Sequence, residues 1–145
     1  MLDWNQLNQR LEKIPARHNQ LTSKFELFAK HVESQVTAQG FHISGITASL
    51  KLEQGLLITT FAGRTLTFAF SSILEENQAL MGHVKCYLTK ELEEQKQIEI
   101  GEFTFKANGE SNLTSPQEVD EPLSIDIDLA ALYIALQFIY ESLSK

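Results

Sequence analysis

The sequence predicts an α+β fold: a curved antiparallel β-meander of about five strands, an amphipathic helix before it and an apolar helix after it, both packed on one face. Three observations carry that reading. Apolar residues recur at three- and four-residue steps through positions 1–38, and residues 41–108 alternate apolar and polar between short glycine-containing turns. Residues 126–144 are apolar on more than one helical side. At 145 residues the chain is expected to form one domain, with a helical segment at 1–38, a sheet at 41–108, a loop at 109–124 and a final helix at 126–144.

In the first segment Trp4, Leu7, Leu11, Ile14, His18, Leu21, Phe25, Phe28 and Val32 share one stripe, with Asp3 placed to cap its start. Pro15 removes a backbone donor and disfavours the α conformation at Ile14. The helix is therefore expected to kink or break near Pro15, into roughly 3–14 and 16–38, with Gly40 as the stop. Phenylalanine and tryptophan along the stripe suit a sheet surface better than a coiled-coil seam. The half before Pro15 is the part expected to reach another subunit.

The meander opens with Phe41 and Ile43 at odd positions, whereas Ile46, Ala48, Leu50 and Leu52 beyond Gly45 are even. That parity change predicts a β-bulge at Gly45. Turns follow at Gln54-Gly55 and Gly63-Arg64, with strands at 56–62 and 65–70. Residues 71–78 read as a wide loop or one helical turn capped by Ser72. From 79 to 88, Leu80, Val84, Cys86 and Leu88 face one way and Met81, His83, Lys85 and Tyr87 the other. Glu91 to Gln97 reads as a charged tip. Parity changes again between Ile98/Ile100 and Phe103/Phe105/Ala107, which predicts a second bulge at Gly101-Glu102. Asn108 to Pro122 reads as a polar loop. Asp126 or Asp128 would cap the last helix, with Leu129, Leu132, Tyr133, Leu136, Ile139, Tyr140 and Leu143 on one stripe. Because Ile134 and Phe138 add a second apolar side, this helix should lie between the sheet and the first helix, or in a dimer interface.

The formal charge is −7, and residues 91–145 alone hold three Lys/Arg against twelve Asp/Glu. Such a surface is repelled by nucleic-acid phosphates and anionic membranes, so neither is an expected partner. Met1-Leu2-Asp3-Trp4 runs directly into helix-like polar sequence, which reads as no secretory leader and a cytoplasmic location.

No motif for catalysis stands out. The four histidines are scattered, and His83 and Cys86, three apart on a strand, face opposite ways; no metal site or cofactor is expected. Cys86 reads as a small buried hydrophobe. Asp120, Glu121, Asp126 and Asp128 lack the central glycine and closing glutamate of a calcium loop. The seven glycines form neither a dinucleotide fingerprint nor a phosphate loop. If the sheet has an open-ended pocket, His42, His83 and Tyr87 are the polar residues to seek there.

The order helix, three strands, interruption, two strands, helix resembles in outline the class I type III secretion chaperones, which are small acidic dimers. The helix-and-sheet arrangement also looks like that of cystatins, and immunity-type inhibitors share the acidity. These likenesses imply an acidic protein-interaction module that binds a protein partner or itself as a homodimer. The alternative is a small-molecule binder or enzyme using the open end of the sheet.

Overall fold

The structure, a computed structural model, describes residues 1–90 and 96–145. Helix α1 (Trp4–Glu12) ends at Lys13, and α2 (Ile14–Val36) starts immediately with Pro15 in its first turn. Proline is tolerated there because the first helical amides have no intrahelical partner. The break expected near Pro15 is thus present. Leu21, Phe25, Phe28, Ala29, Val32 and Val36 form the buried stripe of α2.

Seven strands follow: β1 (Thr47–Lys51), β2 (Leu56–Phe61), β3 (Arg64–Leu74), β4 (Leu80–Lys90), β5 (Gln97–Phe105), β6 (Glu110–Ser115) and β7 (Glu118–Ser124). Each pairs antiparallel with its neighbours in the chain, so the spatial order is β1-β2-β3-β4-β5-β6-β7 and the sheet stays open. Helix α3 (Asp128–Ser142) packs beside α2 and against β3, β5 and β7, while α2 lies across β1, β3 and β4.

Strand period two sorts the side chains. Leu57, Leu66, Phe68, Val84, Cys86, Leu88, Phe103 and Phe105 are buried beneath the helices. Seven phenylalanines knit the layers. Phe28 reaches Phe68 and Phe103 at ring separations of 6.3 and 5.7 Å, and Phe138 of α3 meets the same two rings at 5.9 and 6.0 Å. Phe25 stacks on Phe70 at 5.3 Å, and Phe70 on Phe105 at 5.9 Å. Each such pair adds about 0.5–1.5 kcal/mol beyond its area burial. The other sheet face carries Ile58, Thr67, Lys85 and Tyr87, and among the described residues no helix lies over it.

Several expectations need correction. The strand count is seven, not about five, because 109–124 is not a loop: it forms the β6–β7 hairpin, turned at Pro116-Gln117. Residues 71–78 are neither a wide loop nor a helical turn, since β3 continues to Leu74 and a tight turn at 75–79 leads into β4. Strand β1 begins only at Thr47, so the parity change at Gly45 marks a turn with φ +89° rather than a bulge. The second bulge is real and falls at Ile100, where Cys86 faces Gly101 but Tyr87 faces Glu99. The β2–β3 turn is made by Ala62 and Gly63, both at positive φ, not by Gly63-Arg64.

Neither Asp126 nor Asp128 caps α3; Ile127 holds the cap position without a side-chain bond. The buried stripe of α3 is Ala131, Leu132, Ile134, Ala135, Phe138, Ile139 and Ser142, which turns Leu129 and Tyr140 to solvent. The charged tip expected at Glu91–Gln97 lies largely outside the described residues.

Candidate functional site

Helix α1 is built from its own sequence. Asp3 Oδ1 accepts from the Gln6 amide at 2.8 Å, and Gln6 Oε1 accepts from the Asp3 amide at 3.2 Å, a reciprocal capping box. Yet none of its residues is buried. Trp4 is 76% exposed, Leu11 56% and Leu7 40%, although all three lie on one stripe. A nine-residue helix is marginal by itself, and most surface helices hide such a stripe.

The β3–β4 hairpin supplies the opposite wall. Strand β2 pairs with β3 only as far as Ala69, and β5 pairs with β4 only from Gly82, so Ser71–Leu74 and Leu80–Met81 project beyond both neighbours. The start of α2 is fastened to this projection. His18 Nδ1 and Ser72 Oγ are 2.6 Å apart, and the His18 ring stacks on Phe70 at 5.8 Å.

Between helix and hairpin runs a groove of about 410 Å³. Its apolar walls are Leu2, Leu7, Leu11 and Ile14 on the helical side and Leu74, Ala79 and Leu80 on the hairpin side. Gln78, Arg10, Lys13 and Arg17 complete the lining, which holds three cations and no carboxylate. Among the described residues the ion pairs are Lys24–Asp126, His83–Glu102 and Lys106–Glu110, so the three groove cations are not engaged in them. On a chain of net charge −7 this is a cationic, apolar island.

The residues singled out in the sequence lie elsewhere and apart. His42 is exposed in the loop before β1, its ring 5.0 Å from that of Phe41. His83 and Tyr87 project from β4 on the sheet face without helices. His83 Nε2 stands 3.4 Å from Glu102 Oε2 without an aligned hydrogen bond, and Tyr87 faces Glu99 on β5 and Thr67 on β3. None of the three borders the groove or the hollows described next.

A polar trough lies between α2 and the β5–β6 turn, bordered by Arg17, Lys24, Lys106 and Asn108. An apolar hollow of about 260 Å³ separates α3 from the β6–β7 hairpin, with Leu113, Leu123, Ile134 and Phe138 inside and Tyr133, Gln137 and Glu141 at its edge. Among the described residues no three His, Cys, Asp or Glu side chains are grouped to hold a metal. The Cys86 thiol is pushed up to about 12, first by burial and then by the Glu141 carboxylate. A thiol held neutral in this way is no nucleophile.

The chain matches no protein-family model, no curated protein and no solved structure. Among the described residues no helix is long and apolar enough to cross a membrane. The interruption on which the chaperone-like outline rested is the tight β3–β4 turn. The groove beside α1 was hidden in the sequence for a related reason. Trp4, Leu7 and Leu11 continue the periodicity of the buried α2 stripe, and the signal separating them is Pro15, which frees α1 from the sheet.

Proposed function

We propose that this chain is a protein-interaction module whose docking surface is the groove between α1 and the projecting β3–β4 hairpin. One observation carries the reading: a locally capped amphipathic helix presents Trp4, Leu7 and Leu11 to solvent beside a second apolar wall. An exposed apolar patch with a polar rim is the usual form of a protein-binding site. The test is affinity capture from the native cell with the wild-type chain, Leu7→Asp/Leu11→Asp and the sheet-face variant Tyr87→Ser. Because no residue of α1 is buried, the double variant should stay close to the wild-type unfolding midpoint while losing the captured protein. Equal capture by all three would remove the groove from consideration.

A second reading rests on the hollow beneath the β6–β7 hairpin. Its apolar lining and polar edge suit a small ligand, although about 260 Å³ is just below the usual pocket range of about 300–1,000 Å³. A thermal-shift screen with small aromatic amines and alcohols tests it. Ligands that raise the melting temperature of the wild type but not of Ile134→Trp, which fills the hollow, would favour this reading.

A further inference from the structure

Taking the groove as the docking surface, we infer that its occupant is an acidic amphipathic helix of a partner protein, not a second copy of this chain. Leu7, Leu11 and Ile14 make a stripe along the helical wall that Trp4 continues beyond the lining, and the complement of such a stripe is a helix with anchors at the same spacing.

Charge sets the sign of the partner. Arg10, Lys13 and Arg17 line the groove with no carboxylate among them. The nearest acids in sequence to the hairpin wall, Glu75 and Glu76, belong to the turn, and Glu12 ends α1; none of the three is in the lining. An incoming helix with glutamates flanking its apolar face meets three cations at the rim.

The same three cations disfavour self-association. Most homodimers are two-fold symmetric, so the same patch is used on both copies. Pairing one groove with its two-fold mate would gather Arg10, Lys13 and Arg17 of both copies in one interface as the stripe desolvates, and like charges brought together at an interface oppose it. A membrane is also a poor match. Lipid-bound helices carry Lys and Arg along their polar face, whereas the polar positions of α1 are mainly Asn and Gln, with Arg10 and Glu12.

Trp4 provides the readout, since it is the sole tryptophan and sits on the exposed stripe. The full chain is titrated with three synthetic amphipathic peptides sharing one leucine stripe and differing in flanking residues: all Glu, all Gln or all Lys. The Glu peptide should move Trp4 emission to the blue and bind at least about tenfold more tightly at low salt than the Lys peptide, an advantage that shrinks as salt screens it. Arg10→Glu/Lys13→Glu/Arg17→Glu should invert the ranking at an unchanged melting temperature.

Equal affinities with a blue shift would overturn the acidic-partner inference and leave the docking surface standing. Peptide binding that Leu7→Asp/Leu11→Asp leaves unchanged, or no binding at all, would overturn both. A dimer by light scattering that Leu7→Asp makes monomeric would assign the groove to a second copy and overturn the inference. So would a Trp4 blue shift on phosphatidylserine vesicles in place of one on the Glu peptide.

Discussion

Lys24 Nζ lies 2.7 Å from Asp126 Oδ2 and bolts the middle of α2 to the segment that enters α3. Both side chains are partly buried, at 30% and 26% exposure. Two neighbours extend the seam: His31 Nε2 lies 3.0 Å from the Asp126 carbonyl oxygen, and Gln35 Nε2 donates to Asp128 Oδ2 at 3.2 Å. One oxygen of each aspartate thus faces α2, while Asp128 Oδ1 accepts from the Leu129 amide at 2.8 Å. Lys24→Met is expected to cost about 1–2 kcal/mol, above the range of an open surface pair, because it leaves a half-buried carboxylate without its cation. Urea unfolding measures it, and a double-mutant cycle with Asp126→Asn should return most of the loss as coupling.

A second prediction concerns Gly82 and Phe105, which face each other across β4 and β5. A Cβ on Gly82 would fall 2.2 Å from the Phe105 Cζ atom, so the ring occupies the space a side chain would take. Gly82→Ala should destabilise by about 1–3 kcal/mol through overpacking. Phe105→Ala, removing a wholly buried ring, should cost about 3–5 kcal/mol. Combining Gly82→Ala with Phe105→Leu should cost less than the sum of the two single changes. Strict additivity would mean that the ring does not lie over the glycine.

Arg64 supplies a third. Its Nη1 donates to the carbonyl oxygens of Ser142 at 2.7 Å and Lys145 at 3.2 Å, a cation at the negative end of α3. Arg64→Ala should cost about 1–2 kcal/mol. Hydrogen exchange is expected to speed up in the last turn of α3 while the sheet amides keep their protection.

Cys86 gives a prediction in pH. Its folded pKa, about 12, lies above the ordinary thiol value of 9.0, so the folded state favours the neutral thiol. The resulting stability is complete below pH 9 and is lost as pH rises from 9 through 12, where the unfolded thiol ionises and the folded one does not. Cys86→Ala or Cys86→Ser should flatten that part of the stability profile. A thiol-reactive chromophore at pH 8 should label the native protein only as fast as it opens.

Tyr140 is 75% exposed, so Tyr140→Lys should change stability by no more than about 0.5 kcal/mol. The helical periodicity suggests the opposite, since it puts Tyr140 on a stripe with Leu136 and Leu143. Ile139→Lys, one position earlier and 5% exposed, should prevent folding. Circular dichroism of the two variants decides between the registers.

The sequence shows the order of elements wherever one face is buried and the other wet, as in β4, where alternation from Val84 to Leu88 matches the burial observed. It conceals β6 and β7 because an edge hairpin needs little apolar surface. Leu113 and Leu123 are only partly buried, and the residue buried within β6 is Ser111, whose hydroxyl donates to the Leu123 carbonyl oxygen at 2.6 Å. The turn chemistry was present in Asn108-Gly109, where Asn108 Oδ1 accepts from the Glu110 amide at 2.9 Å and Gly109 has φ +94°. The acidity of β7 and its Pro122 also have a structural meaning, as devices that keep an open sheet edge from recruiting another strand. That the half before Pro15 stands apart was legible, but the groove beside it was not. Exposure of Leu7 against burial of Leu21 depends on where the sheet ends in space, which a shared periodicity does not encode.

The nearest-neighbour strand order also has a temporal consequence. Every β-pairing closes a short loop, so the sheet can zip hairpin by hairpin with little entropy lost per step. The Lys24–Asp126 bond instead joins residues 102 apart, and this seam must await α3, made from the far end of the chain. Sealing the two helices together is thus expected late, after the rate-limiting barrier. In stopped-flow measurements Lys24→Met should hasten unfolding and leave refolding nearly unchanged, whereas Phe68→Leu, at the centre of the early hairpins, should slow refolding.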